Sequence, residues 1–343
     1  MTAGPNSKSA LIVRLGAIGD VLMLLPAVHA LHLEGAQVDW VCGKVVAPLL
    51  AMYPWIHRIE VDEHELFHGG TAARTRALLK LWRRLALRRY ELCAVMQYDR
   101  RYALLSRVVR AGRRLQLEQS NRARKLIDGR WHANEYARIL GLAPDEYHEE
   151  NVRLLRPEED QIPSFSFDAS GVRRIALAPA GAKNVLREGA LRRWPIENYV
   201  ALSRELLARG YEIVLTGSND DAWIRQPFAQ LLTAPGVRDC TGKTTLPELL
   251  ALFDSCDAVI THDTGAMHIA GISRAAVIAI FGPTTMSNFL PRRERVIGLW
   301  GGERLPCRPC YDGRDFAPCK NNVCVQDVSV AQVLARLDAL MRN

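Results

Sequence analysis

Short apolar runs rich in β-branched residues alternate along this chain with longer segments whose apolar positions recur every three or four residues. The short runs fit buried strands and the longer segments fit amphipathic helices. In the first half the pattern predicts strands at Ala10–Arg14, Gln37–Cys42, Arg58–Val61, Leu92–Gln97 and Arg113–Leu117, with helices at about 20–34, 44–52, 72–89, 100–110 and 131–140. From Arg156 to Gly171 the chain reads RPEEDQIPSFSFDASG, which has no period and reads as a linker. The alternation then restarts. Strands are predicted at Arg174–Ala178, Glu212–Thr216, Val237–Cys240, Ala258–Thr261 and Ala276–Phe281, with helices at about 195–209, 220–232, 246–253 and 264–272 and a last one over Ser329–Met341.

Repeated strand–helix alternation implies a parallel sheet covered by helices on both faces. Two such runs imply an α/β protein of two Rossmann-like, doubly wound domains facing a cleft, and 343 residues fit two cores of about 150 residues better than one. The predicted layout is a disordered tail over 1–9, a first domain over 10–160, a linker over 161–172, a second domain over 173–326 and a closing helix over 327–343. In such sheets ligands bind beyond the carboxyl ends of the strands, so the loops after the strands should carry the chemistry.

Composition narrows the class. An apolar fraction of 48% and a charged fraction of 24% suit a water-soluble globular chain and exclude general disorder. The stretch Val21–Leu31 is the one segment like a secretory leader, but Asp20 borders it, Pro26 and His29 interrupt it and a strand precedes it. No run reaches the ~18–20 apolar residues that span a bilayer. A cytoplasmic location follows as the expectation. The net charge is +8, and the excess is uneven: thirteen Arg or Lys fall between Arg74 and Arg114, opposed by Glu91 and Asp99. These are solvated helix faces or a cationic surface for an anionic partner, such as the inner face of a membrane.

Three loops carry candidate chemistry. Arg14-Leu15-Gly16-Ala17-Ile18-Gly19-Asp20 follows the first strand. Gly16 and Gly19 let backbone approach a ligand, yet their spacing fails the dinucleotide fingerprint. Asp20 is placed to be either a helix cap or a proton acceptor. The second loop, Ala178-Pro179-Ala180-Gly181-Ala182-Lys183, leads into Arg192-Arg193-Trp194-Pro195 and suits a phosphate site. The third, Thr261-His262-Asp263-Thr264-Gly265-Ala266-Met267-His268, joins an apolar strand to a helix. Its Thr264 and Gly265 would offer free amides to an anion, Asp263 would accept from sugar hydroxyls, and His268 is a ligand contact or a core histidine.

Taken in order, RLGAIGDVLMLLPAV, APAGA with RRWP, the LTG of Leu215–Gly217, THDTGAMHIAG and FGPT resemble glycosyltransferase family nine, the heptosyltransferases of the lipopolysaccharide core, over about residues 10–340. The resemblance implies a GT-B fold with an acceptor domain first, a donor domain second and a last helix crossing back. It implies inverting, metal-independent transfer of heptose from ADP-heptose to an anionic glycolipid, with a protein acceptor of the autotransporter type as the alternative. By the same resemblance Asp20 is the catalytic base, and Gly16 and Gly19 form the acceptor-side loop. Ala180, Gly181, Lys183, Arg193, Thr216, Gly217, Asp263, Thr264, Gly265 and His268 bind the donor. Arg193 departs from the family, many of whose members carry Lys just before Trp-Pro. No Asp-x-Asp metal pair occurs in these loops, so cations and a helix N-terminus are expected to meet the leaving diphosphate.

Of eight cysteines, four lie in the loop 306–324, as Cys307, Cys310, Cys319 and Cys324. Four thiols so spaced can reach the tetrahedral geometry of a structural zinc or iron site, and a reduced Cys-rich loop is the plainer reading. Two other functions fit less well. A nicotinamide oxidoreductase lacks its third glycine and its acidic strand-end residue. A nucleic-acid-binding protein lacks aromatics interleaved with its basic helices, so no nucleic-acid partner is expected.

Overall fold

The computed structural model describes residues 8–142, 153–167, 171–182, 188–311 and 316–342. The chain divides into two compact units, Met1–Gln161 and Ile162–Asn343, so the division falls at the start of the predicted linker.

In the first unit five parallel strands form a sheet in the order β3-β2-β1-β4-β5. They are β1 Ser9–Val13, β2 Gln37–Gly43, β3 Ile56–Val61, β4 Arg89–Val95 and β5 Arg110–Gln116. The helices are α1 Ile18–Leu33, α2 Ala47–Ala51, α3 Glu63–Phe67, α4 Thr71–Leu85 and α5 His132–Leu140. Apolar residues of β1, β2 and β4 are buried, as expected of central strands covered on both faces. Strands β4 and β5 start three residues earlier than predicted. Their first residues, Arg89-Tyr90-Glu91 and Arg110-Ala111-Gly112, are largely polar or small and pair in register before the apolar run begins. The helix predicted at 100–110 is a 3₁₀ turn, Arg100–Ser106, started by the Asp99 carboxylate accepting from Arg101 N–H at 2.9 Å.

In the second unit six parallel strands run in the order β11-β10-β9-β6-β7-β8. They are β6 Arg174–Ala178, β7 Glu212–Leu215, β8 Val237–Asp239, β9 Ala258–His262, β10 Ala276–Phe281 and β11 Val296–Trp300. The helices are α6 Ile196–Ala208, α7 Arg225–Phe228, α8 Leu246–Asp254, α9 Gly265–Ile272, α10 Met286–Phe289, α11 Val323–Gln326 and α12 Val330–Arg342. Renumbered within the unit, the order is 3-2-1-4-5-6, the doubly wound dinucleotide-fold order. Strand β10 (AVIAIF) is buried at every residue. Helix α8 starts where Thr245 and Glu248 form a reciprocal capping box. The long helix predicted at 220–232 is instead three short turns. The closing helix α12 buries Val333, Leu334, Leu337 and Leu340 in the core of this unit.

The topology fixes where side chains can meet. Strand order reverses between β1 and β4 in the first unit and between β6 and β9 in the second. Loops leaving these strand pairs diverge to opposite faces and leave a crevice at each sheet's carboxyl edge.

Candidate active site

The first crevice gathers Arg14, Gly16, Asp20, Gln97 and Tyr136. Arg14 follows β1 directly, and its guanidinium is buried, donating to Met96 O beyond β4 and to the Asp20 carboxylate. Its own carbonyl accepts from Trp40 Nε1 at 3.0 Å. Burial opposes the Arg14 charge, but Asp20 and the phenols of Tyr136 and Tyr102 outweigh it, so its pKa stands above the ordinary value. Asp20 lies in the first turn of α1 and makes no cap; the N-cap is Ala17, without a side-chain bond. The second Asp20 oxygen accepts from Tyr136 Oη at 3.2 Å. Tyr136 and His132 are four apart on α5 and share a face. Burial lifts the Tyr136 phenol well above its usual range and pushes His132 down to about 4. Gln97 Nε2 donates to Gly16 O at 3.3 Å and holds the glycine turn against the β4 loop.

A further carboxylate, which the sequence reading missed, stands beside this turn. A Cβ added at Gly16 would lie 3.8 Å from Glu63 Oε1, and at Gly43 it would collide with the Glu63 carboxylate. Burial raises the Glu63 pKa, and the positive charge of Arg14 pulls against that rise.

The second crevice joins the loops after β6, β7 and β9. Gly181 has φ +84°, and a Cβ there would sit 2.6 Å from Thr264 Oγ1. That hydroxyl accepts from Ala182 N–H at 3.2 Å, so Thr264 ties two loops together and does not cap α9. The first amides of α9 are thereby left for an anion. Gly181 N–H donates to Asp221 Oδ1 at 3.2 Å, and Asp221 also accepts from Ser218 at 2.8 and 2.7 Å. Asp263 is buried and accepts from Thr284 Oγ1 at 2.8 Å and from Arg192 at 3.3 Å.

The predicted donor residues therefore divide. Gly181, Asp263, Thr264 and Gly265 share one crevice. Ala180 is core, and Thr216 Oγ1 donates to Leu177 O at 3.0 Å within the sheet. Gly217 leaves room for Asp221, since a Cβ there would lie 3.0 Å from Asp221 Cβ. His268 is buried within α9. Lys183 lies outside the described residues. Arg193 donates to Gly181 O at 3.0 and 2.8 Å and pairs with Glu188 at 2.8 Å, while its neighbour Arg192 reaches Asp263. The sequence contained the signal in two adjacent arginines, but not which of them turns inward.

The expected metal centre is not formed by the described residues. No group of three or more His, Cys, Asp or Glu among them is placed to hold a metal ion. Cys307 and Cys319 are exposed, whereas Cys324 is buried on α11. Cys324 is a packing residue: a Cβ at Gly302 would meet its Cβ at 2.7 Å, and one at Gly282 would meet its sulfur at 2.9 Å. Burial raises the pKa of the Cys324 thiol, and Cys310, Cys319 and Cys307 add to the rise. No helix among the described residues is long and apolar enough to cross a membrane.

The sequence profile of glycosyltransferase family 9 (heptosyltransferase) matches residues 78–320. The chain belongs to this family. As a family 9 glycosyltransferase it is 25% identical over 339 residues to lipopolysaccharide heptosyltransferase 3 of Escherichia coli, covering 94% of this chain and 96% of that protein. The solved structure of E. coli ADP-heptose lps heptosyltransferase II superposes with a TM-score of 0.69 at 18% identity, over 97% of this chain and 98% of that one. The iron-containing dodecameric heptosyltransferase TibC, solved in complex with ADP-D-beta-D-heptose, superposes at 0.61 and 15% identity, over 98% of this chain and 77% of that one. The fold of this glycosyltransferase is thus GT-B, two Rossmann-like units in one chain.

Proposed function

We propose that this glycosyltransferase moves a heptose from ADP-heptose to an anionic core glycolipid, with inversion at the anomeric carbon. The observation that carries the donor side is the crevice of the second unit: Asp263 pinned by Thr284 and Arg192 beside the uncapped start of α9. The acceptor hydroxyl attacks the anomeric carbon as the bond from that carbon to the diphosphate breaks. Its proton passes to Asp20, which Arg14 and Tyr136 hold in one orientation. The departing ADP leaves its negative charge against the α9 amides and the Arg192 guanidinium.

A glycolipid acceptor is favoured because lipopolysaccharide heptosyltransferase 3 of Escherichia coli is matched over 96% of its length. The outer face of α4 supports work at the cytoplasmic face of a membrane. Arg76, Lys80 and Arg83 are exposed there, with Leu79 at 47% exposure and Leu87, just beyond the helix, at 97%. The test is transfer of labelled heptose from ADP-heptose to heptose-deficient core glycolipid, with product anomer read by NMR. Asp20→Ala should stop transfer while ADP still binds by calorimetry. Wild-type turnover by that variant would remove Asp20 from the mechanism, and failure of the wild type with every glycolipid would redirect the acceptor to protein.

A further inference from the structure

Trp223 is the only one of the seven tryptophans left exposed, with 43% of its surface in water. Its surroundings are not loose. It sits in the 3₁₀ turn Asn219–Ile224 after β7, between Asp221, whose carboxylate closes the capping box with Ser218, and Ile224, which is fully buried. The Arg193 guanidinium lies over the ring, 5.5 Å from its centroid. The same guanidinium holds Gly181 O at 3.0 and 2.8 Å, and Gly181 N–H in turn holds Asp221. The ring is therefore fastened to the very loop that, with Thr264, forms the diphosphate crevice.

Position adds to this. The crevice lies between β6 and β9, and β7 is the next strand out on the β6 side. In a doubly wound sheet a nucleotide whose diphosphate occupies the crevice extends its nucleoside over that neighbouring strand. The turn after β7 presents a rigid aromatic face there, backed by a cation.

We propose that Trp223, steadied by Arg193, is the platform on which the donor's nucleobase stacks, and that it favours a purine nucleoside diphosphate over a pyrimidine one. This rests on the donor reading above and deepens it. Stacking strength grows with the area of overlap, so the fused rings of a purine gain more from an indole face than a single pyrimidine ring does. Arg193 acts here through the ring and through Gly181, as a positioning residue.

The test compares wild type, Trp223→Ala and Trp223→Phe for binding of ADP, UDP and inorganic pyrophosphate by titration calorimetry, with tryptophan fluorescence as a second readout. Wild type should bind ADP more tightly than UDP. Trp223→Ala should weaken ADP about ten-fold or more, as loss of one base–aromatic stack does, lose most of the preference over UDP and leave pyrophosphate unchanged. Trp223→Phe should recover most of the ADP affinity. ADP affinity in Trp223→Ala within two-fold of wild type would overturn the platform. So would parallel weakening of ADP and pyrophosphate, which would make Trp223 a prop for Arg193 only. Wild type that binds neither nucleotide would overturn the donor reading along with the platform.

Discussion

Gly181→Ala separates the cost of an unusual backbone from the cost of a broken site. Gly181 holds φ +84°, and a side chain in that left-handed region costs roughly 1–2 kcal/mol. The new methyl would also lie 2.6 Å from Thr264 Oγ1, so Thr264 must move and release the amide of Ala182. One hydrogen bond contributes about 0.5–1.5 kcal/mol, which brings the total to roughly 2–3 kcal/mol. Gly210 supplies the control, with φ +80° and nothing within 4 Å of an added Cβ. Gly210→Ala should cost the backbone part alone.

The assay is thermal unfolding of both variants, paired with ADP titration. For a unit of this size about 1 kcal/mol moves the melting temperature by roughly 2–4 °C. Gly181→Ala should melt several degrees below Gly210→Ala and bind ADP at least about ten-fold more weakly, the loss of about 1.4 kcal/mol of binding energy. Gly210→Ala should bind ADP like wild type. Equal melting shifts with unchanged ADP affinity in Gly181→Ala would refute the reasoning, because Thr264 would then not join the two loops into one site.

Arg192→Ala should weaken ADP binding by about ten-fold, and Arg192→Lys should restore only part of it, since an ammonium keeps the charge but not the geometry of the guanidinium that reaches Asp263; calorimetry reads both. Burial pushes His262 down to about 3, with Arg192 and Arg193 adding to the shift. The fold therefore binds fewer protons than the unfolded chain between about pH 6.5 and pH 3, so stability should drop as pH falls through that window, by up to about 1.4 kcal/mol per unit. His262→Gln should flatten the slope by one proton in urea melts from pH 7 to pH 4.5, and an unchanged slope would count against a buried neutral His262. In thiol titration of the native protein Cys307 and Cys319 should react first and Cys42 and Cys256 last, because burial pushes the latter two up to about 12. Protection of all four loop thiols until a chelator is added would reinstate a metal in the Cys-rich loop.

Much of this architecture was legible because period and burial agree. Val259-Ile260 and the run AVIAIF can only be central strands, and the division between units falls where the period stops. Strand β11 escaped notice: VIGLW is short, carries a glycine and is half-buried at every position, so it has no clear inside and outside. The turns of 219–233 read as one helix because their apolar residues keep a helical spacing, while Pro227 and the Ser218 cap break the backbone into pieces. At the sites, the glycine loops and Asp263 show in one dimension, since their chemistry is local. Partners across the fold do not. Tyr136 reaches Asp20 from 116 residues away, and only the packing of α5 on α1 brings it there.

The two crevices use one topological device for opposite charges, and the first of them holds a choice that a single variant resolves. Asp20 and Glu63 both flank the Gly16 turn, in unlike settings. Asp20 is locked into an ion pair with Arg14 and accepts from Tyr136. Glu63 makes no ion pair among the described residues, and burial raises its pKa. Paired carboxylates with environments so different usually divide their tasks. With Asp20 as the proton acceptor, Glu63 is left to hydrogen-bond the acceptor sugar. Glu63→Gln should then raise the KM for acceptor several-fold with little change in kcat, and the pH–rate profile should keep its acid limb. If turnover instead slowed by about 100-fold or more, the scale of a lost general base, and the acid limb vanished, the role would transfer from Asp20 to Glu63. Asp20, fixed by Arg14, would then be the group that orients the site.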